Sequence, residues 1–218
     1  MESYTLLNQT PVDHHGNTTS GIITGKIKIS PPPRLDIDLY VRSLSEIVQD
    51  RSDQGWSVDL VTIMPEKISL DIRLIPTLAH DPVTRTYARL ISRVVRRPRS
   101  ATVTPKTQRP ILIGGVDIPV YKGRSVEVSG NDGGLHFHGL LALPPRSRLK
   151  GQTAVEHFTE NDGLYRRGGG IARIDVRPIQ HGDILKVARY CLKAVCRGQI
   201  GIDAGVVILP RALSELSR

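Results

Sequence analysis

The order of apolar and polar positions along the chain predicts strands with helices inserted among them. Apolar runs, some of them alternating with polar residues, predict strands at 58–64, 111–120, 125–129, 135–143 and 171–179. Amphipathic segments predict helices at 35–49, 82–95 and 183–195. Because strands and helices do not strictly alternate, the pattern predicts an α+β sandwich.

Glycine and proline refine the bounds of these elements. Asp81 suits the N-cap and Pro82 the first position of the helix at 82–95, so we expect that helix to begin there. We expect Gly114 and Gly115 to interrupt the strand at 111–120. Three prolines at 31–33 end a segment rich in Asn, Thr and Gly. Residues 1–34 are therefore predicted to be a weakly ordered N-terminal arm, followed by one domain at 35–218.

The whole chain has a net charge of +9. Its positive charge is concentrated in one segment. Seven cations and no acid lie between 89 and 109, namely Arg89, Arg93, Arg96, Arg97, Arg99, Lys106 and Arg109. Such a block is either a solvated loop or a phosphate-binding segment with sequence-independent affinity. We favour the second, and the expected DNA contacts are Arg93, Arg96, Arg97 and Arg99. Aromatic residues make up only 4%, which disfavours a base-stacking platform.

The two cysteines and the apolar runs bear on the compartment. Cys191 and Cys196 lack the further ligands of a zinc site, so we expect both to be core thiols. No N-terminal apolar run resembles a signal peptide, and no stretch is long enough to span a bilayer. These features predict an intracellular protein with no membrane partner.

The pair His136 and His138 is the most distinctive candidate for chemistry. Residues two apart on a strand project to the same side, so the two imidazoles lie together and can bind a divalent metal ion. Phe137, Leu141 and Leu143 then project to the opposite, apolar side.

A third ligand is expected from the predicted strand that precedes the histidines. The strand at 125–129 places Glu127 opposite its two valines, and a glycine-rich loop folds it back onto the histidine strand. Glu127 then lies across from either His136 or His138, depending on the register. Asp132, in the loop, is the alternative ligand.

The candidate nucleophile is Tyr190 in the predicted helix at 183–195. Helical periodicity puts three cations on its stripe, Lys186, Lys193 and Arg197, and an apolar face opposite, made by Ile184, Val187, Ala188, Cys191 and Val195. The alternative is a solvated basic face with an incidental tyrosine. A neutral phenol, with a pKa of about 10, is a poor nucleophile, so neighbouring cations that favour the phenolate and hold a phosphate suit this role.

These residues resemble the motifs of HUH endonucleases. His136-Phe137-His138 resembles their histidine–hydrophobic–histidine motif, and Tyr190-Cys191-Leu192-Lys193 resembles the Tyr-x-x-Lys motif of rolling-circle replication initiators. Glu127 stands where those initiators supply a third metal ligand, and 58–64 loosely resembles their first-motif strand. The resemblance covers about 55–197 and preserves the motif order.

The resemblance implies a five-stranded antiparallel sheet with flanking helices and a dependence on Mg²⁺ or Mn²⁺. It implies nicking and joining of single-stranded DNA at an origin or hairpin, with Tyr190 as nucleophile and Lys193 as catalytic cation. The cationic stripe itself makes Lys186 and Arg197 expected DNA contacts. The product is a covalent 5′-phosphotyrosine that initiates rolling-circle replication of a plasmid, phage or similar element. A host helicase and polymerase would be partners, in the cytoplasm of a prokaryotic host.

Two other functions remain open at this point. A single-tyrosine transposase or mobilisation nuclease would use the same chemistry. A non-catalytic nucleic-acid-binding protein would use the basic block alone. A metalloenzyme acting on small molecules conflicts with the charge distribution, and the sequence has no cofactor signature.

Overall fold

The computed structural model describes residues 36–66, 75–98, 108–117, 135–168 and 170–211, with the backbone alone at 75–79. The chain divides into two units between Arg34 and Leu35, and every described element belongs to the second. The predicted arm at 1–34 and the predicted strand at 125–129 lie outside the described residues. No helix in the described ranges is long and apolar enough to cross a membrane.

A five-stranded antiparallel sheet with flanking helices forms the fold, which confirms the predicted α+β class. The strands are β1 (Ser57–Pro65), β2 (Ile111–Asp117), β3 (His136–Leu143), β4 (Ile171–Pro178) and β5 (Val206–Leu209), in the order β4-β1-β3-β2-β5. The first four agree with predicted strands. Strand β5 was not predicted, because a four-residue apolar run does not distinguish a strand from a buried helical turn.

Helices cover both faces of this sheet. They are α1 (Ile37–Asp53), α2 (Ile75–Val94), α3 (Ala154–Glu160), α4 (Asp162–Arg166), α5 (Ile184–Cys191), α6 (Lys193–Cys196) and α7 (Ile202–Gly205). One core joins α2, α3 and α4 to the sheet face that carries Phe137, Leu141 and Leu143. The other joins α1, α5 and α6 to the face that carries Leu140 and Ala142. Strands β1, β2, β3 and β5 therefore have apolar residues in both cores, whereas Ile171, Ile174 and Val176 of β4 all belong to the first.

Two predicted helix bounds are wrong. Helix α2 begins at Ile75 rather than at Pro82, which lies inside the helix. An internal proline costs one backbone hydrogen bond, yet the helix continues because its buried residues after Pro82, among them Tyr87 and Leu90, pack against the sheet. The helix predicted at 183–195 is two helices that meet at Leu192, whose φ of −102° and ψ of 15° end α5.

The two glycines of β2 do not interrupt the strand, contrary to the prediction. They are buried within it, where Gly114 pairs with Gly139 and Gly115 with His138. A Cβ added to Gly114 would collide with the backbone oxygen of His138, and one added to Gly115 would lie 2.9 Å from the carbonyl oxygen of Cys191. The glycines are needed for close packing, both between strands and between β2 and the end of α5.

Substituting Gly115 by alanine should lower stability and displace the end of α5. The added Cβ meets backbone, which moves less easily than a side chain, and overpacking of this kind costs about 1–3 kcal/mol. Gly163→Ala in α4 is the control, because a Cβ there has nothing within 4 Å. Urea unfolding should show a loss for Gly115→Ala and none for Gly163→Ala; equal free energies of unfolding would contradict the packing role of Gly115.

One carboxyl group lies inside the core that contains α2. Asp59 of β1 is only 4% exposed, and its Oδ2 has no hydrogen-bond partner among the described residues. Burial raises the pKa of Asp59 from 3.8 to about 6. The folded protein therefore holds this proton more tightly than the unfolded chain does.

Stability should consequently fall as the pH rises through 4 to 6 and level off above that range. A shift of about two pKa units corresponds to about 3 kcal/mol. Asp59→Asn removes the ionisation, so we expect a higher free energy of unfolding than wild type at pH 7 and no difference near pH 4. Asp50→Asn, which changes an exposed carboxylate of α1, is the control. Parallel pH profiles for wild type and Asp59→Asn would refute this account.

Candidate active site

Strand β3 places both histidines on the sheet face covered by α1, α5 and α6. His138 is 5% exposed, and His136, the first residue of the strand, is half-buried. The rings are 6.0 Å apart between centroids. Phe137 projects into the opposite core, as the alternation predicted. The shared side of the two imidazoles is therefore confirmed.

Thr62 of β1 fixes the ring of His138. The strands pair Thr62 directly with His138, and the Thr62 Oγ1 lies 3.0 Å from His138 Nδ1. The Thr62 hydroxyl either accepts from Nδ1–H, which leaves a lone pair on Nε2, or donates to Nδ1, in which case Nε2–H donates to Asp117. A hydrogen bond at one imidazole nitrogen in this way sets the role of the other.

Tyr190 reaches His138 from the last turn of α5. Its hydroxyl lies 3.4 Å from His138 Nε2, and the two rings are 4.8 Å apart between centroids. Tyr190 is nevertheless 44% exposed. The hydroxyl group is therefore held against a buried imidazole while the side chain remains open to solvent.

Lys193, the first residue of α6, links Tyr190 to an aspartate that the sequence analysis did not select. Its ammonium lies 4.4 Å from the centroid of the Tyr190 ring and 2.7 Å from Asp117 Oδ2. Asp117 Oδ2 is also 3.5 Å from His138 Nε2. The break at Leu192 separates the helices that carry Tyr190 and Lys193, so both side chains reach the end of β2.

Asp117 is the last residue of β2 and pairs with His136. Burial alone would raise the pKa of Asp117, but hydrogen bonds from His138 and Lys193 and the Lys193 charge lower it overall. Asp117 is therefore a carboxylate at neutral pH. In the sequence, Asp117 is the single acidic residue of the apolar run at 111–120. Knowledge that this run pairs with the histidine strand would have made Asp117 a candidate ligand.

His136 is uncharged near neutral pH. Burial and the nearby His138 lower its pKa, and Asp117 only partly offsets them. Its Nδ1 is buried and has no hydrogen-bond partner in the described ranges. A buried imidazole nitrogen without a partner is costly, so Nδ1 of His136 is a candidate metal donor.

The donor types at this site suit a divalent metal ion. Two imidazoles and one carboxylate, from His136, His138 and Asp117, lie at the same end of β2 and β3. As positioned, no three His, Cys, Asp or Glu side chains in the described ranges form a group that could hold the ion. The ammonium of Lys193 instead neutralises Asp117. The site suits a metal ion because of the donor types of these three side chains and because His136 Nδ1 has no hydrogen-bond partner in the described ranges.

The structure does not place the other predicted site residues in contact with Tyr190 or the histidines. Glu127, Asp132 and Arg99 lie outside the described residues. The ammonium of Lys186, 3.7 Å from Asp183, belongs to an exposed ion pair, and Arg197 is exposed just after α6. Among the described contacts of the predicted cationic stripe, the one with Tyr190 is made by Lys193.

The basic block is divided between structural and exposed arginines. Arg89 donates to the carbonyl oxygens of Tyr165 and Arg167, and Arg109 is 1% exposed, so neither is a free surface cation. The three described residues among its predicted DNA contacts, Arg93, Arg96 and Arg97, are exposed. They lie at the end of α2, which packs on the sheet face opposite the histidines.

The two cysteines differ in their surroundings. Cys191 is buried in the core beside α1, and burial raises its pKa to about 12, as expected of a core thiol. Cys196 is exposed, so the prediction of a core thiol is wrong for that residue. It falls in the last position of the short α6, which turns it away from the sheet.

Comparison of the chain with models of known protein families, with curated proteins and with solved structures gave no match.

Proposed function

We propose that this protein nicks and rejoins single-stranded DNA through a covalent bond between Tyr190 and a 5′ phosphate. The observation that carries the proposal is the contact of the Tyr190 hydroxyl with His138, 3.4 Å away, beside the Lys193–Asp117 ion pair. These residues come from three separate parts of the chain and meet at one end of the sheet. The proposed role is initiation of rolling-circle replication, the function implied by the motif resemblance.

Tyr190 is the best-placed nucleophile among the tyrosines that the structure describes. Tyr87 and Tyr165 are 3% and 0% exposed, so a phosphodiester cannot reach them. Tyr40 is partly buried in the core beside α1. Tyr190 combines a side chain that is 44% exposed with a cation 4.4 Å from its ring.

In the proposed reaction the phenolic oxygen of Tyr190 attacks phosphorus. A bond forms between that oxygen and phosphorus, and the bond from phosphorus to the 3′ oxygen breaks. The phenolic proton leaves to solvent, to which Tyr190 is open, and the departing 3′ oxygen takes up a proton to become a hydroxyl group. Lys193 stabilises the negative charge that develops on the phosphate oxygens. The reverse reaction rejoins the strand.

His136, His138 and Asp117 would hold a divalent ion, Mg²⁺ or Mn²⁺. When bound, the ion would act as a Lewis acid on the phosphate oxygens. Thr62 would orient His138 through Nδ1, as partners of metal-binding histidines commonly do. Asp117 replaces Glu127 as our proposed third ligand, because its carboxylate lies 3.5 Å from His138 Nε2.

Tyr190→Phe should abolish the covalent adduct and preserve DNA binding, because it removes only the hydroxyl. A cognate single-stranded oligonucleotide and Mn²⁺ should give a covalent species with wild type on a denaturing gel, and peptide mapping should place the phosphate on Tyr190. Tyr40→Phe is the matched control and should form the adduct normally. An adduct formed by Tyr190→Phe would exclude Tyr190 as nucleophile. Binding without any adduct, even by wild type, would favour the non-catalytic alternative.

Asp117→Asn should weaken Mn²⁺ binding, and Glu127→Gln should leave it unchanged. Loss of a residue that only supports a metal ligand costs about 10–100-fold in affinity, so loss of a ligand should cost at least as much. Binding can be measured without DNA from the electron paramagnetic resonance signal of free Mn²⁺. The opposite ranking of the two variants would make Glu127 the ligand and Asp117 only the partner of Lys193.

A further inference from the structure

A second polar site lies on the sheet face opposite Tyr190. It is an open pocket of about 490 Å³, within the range of roughly 300–1,000 Å³ that is usual for small-ligand sites. The lining residues used below are Arg93 of α2, Arg148 and Gln152 of the loop after β3, His157 and Glu160 of α3, and Asn161. None of them takes part in the candidate active site.

Arg93 and Arg148 are the two cations of this pocket. Neither guanidinium has a hydrogen-bond or ion-pair partner in the part of the chain that the structure describes. The loop that carries Arg148 is attached to α2, because the backbone N–H of Arg148 donates to the carbonyl oxygen of Val94 at 2.9 Å. Both guanidinium groups therefore line the pocket without a carboxylate partner among the described residues.

The pocket floor contains a buried polar pair. His157 is 3% exposed, and its Nε2 lies 2.7 Å from the hydroxyl of the fully buried Tyr165. Burial and the charge of Arg93 lower the pKa of His157, so its imidazole is neutral at pH 7. The Asn161 amide donates to the backbone oxygen of His157 at 2.8 Å. The polar lining is therefore fixed by hydrogen bonds.

Counting charges identifies the class of ligand. Two arginines and one glutamate, Glu160, line the pocket, and Gln152 donates to that glutamate at 2.7 Å. The surplus is one positive charge. A phosphodiester and a free phosphate are both attracted to a site of that charge, so the charge selects a phosphate group but not its source. The exposed Arg96 and Arg97 follow Arg93 and continue the positive surface out of the pocket.

We propose that this pocket binds a backbone phosphodiester of a nucleic-acid strand, with Arg93 and Arg148 as its phosphate ligands. Arginine forms paired hydrogen bonds with phosphate oxygens, which suits two guanidinium groups that line one pocket and have no partner among the described residues. The site is separate from the nucleophile and would hold the strand, not cut it. The inference rests on the proposed function only in taking single-stranded DNA as the nucleic acid.

The test measures the binding of single-stranded DNA under conditions in which no strand cleavage is expected. Fluorescence anisotropy of a labelled twelve-residue oligothymidylate is followed over a range of salt, with chelator present and in the Tyr190→Phe background. Arg93→Gln with Arg148→Gln should reduce the slope of log K against log salt by about 0.7 per lost phosphate contact. The control, Arg85→Gln with Arg166→Gln, removes the same charge from arginines paired with Asp81 and Asp162 and should change the slope less.

Equal slopes for the pocket variant and the control would overturn the proposal. Arg93→Lys with Arg148→Lys keeps the charge and should retain most of the slope, which separates phosphate binding from misfolding. Thymidine monophosphate and inorganic phosphate are added as competitors; effective competition by either would make a free phosphate the ligand and overturn the assignment to a strand. Because no nicking is measured, failure of the Tyr190 adduct and failure of this site are distinguishable.

Discussion

The contact between β2 and the turn that joins α5 to α6 is the constraint on which the candidate active site depends. Gly115 lies directly across from His138, and the carbonyl oxygen of Cys191 and the side chain of Leu192 pack where a Cβ would be. Tyr190 and Lys193 flank those two residues in the chain. Packing at one glycine therefore sets both the distance from Tyr190 to His138 and the distance from Lys193 to Asp117.

The same packing brings Lys193 to Asp117, a buried carboxylate that needs a positively charged partner. The Asp117 side chain is only 13% exposed, and a buried charge is costly unless it is paired. Lys193 supplies the pairing at 2.7 Å, with its ammonium also beside the Tyr190 ring. Lys193 thus has a structural role in addition to its proposed electrostatic one. For this reason, truncation of Lys193 would disturb Asp117 together with any phosphate contact, and the two effects would not separate in a single variant.

Sequence periodicity was sufficient for the parts of the site that depend on one element. Alternation on a strand placed His136 and His138 on one side, and helical spacing brought Lys193 towards Tyr190. It did not predict the break at Leu192 between Tyr190 and Lys193. It could not identify Asp117, because strand register between distant segments is set by packing and leaves no local pattern. For the same reason it missed the continuity of α2 through Pro82, where tertiary contacts outweigh the local cost of proline.

The two faces of the sheet carry different kinds of polar groups, and we propose different functions for them. The side with α5 carries the neutral imidazole of His136 and a closed ion pair, which favour a defined local geometry. The side with α2 carries Arg93 and Arg148, which have no partner within the described ranges and favour contact with a polyanion. Five strands about 4.8 Å apart make a sheet roughly 20 Å wide, so a bound strand would have to pass an edge, or the end of the sheet, to reach both. Sites so separated, with no shared partners, should act additively. Strand holding and strand cleavage can then be altered independently.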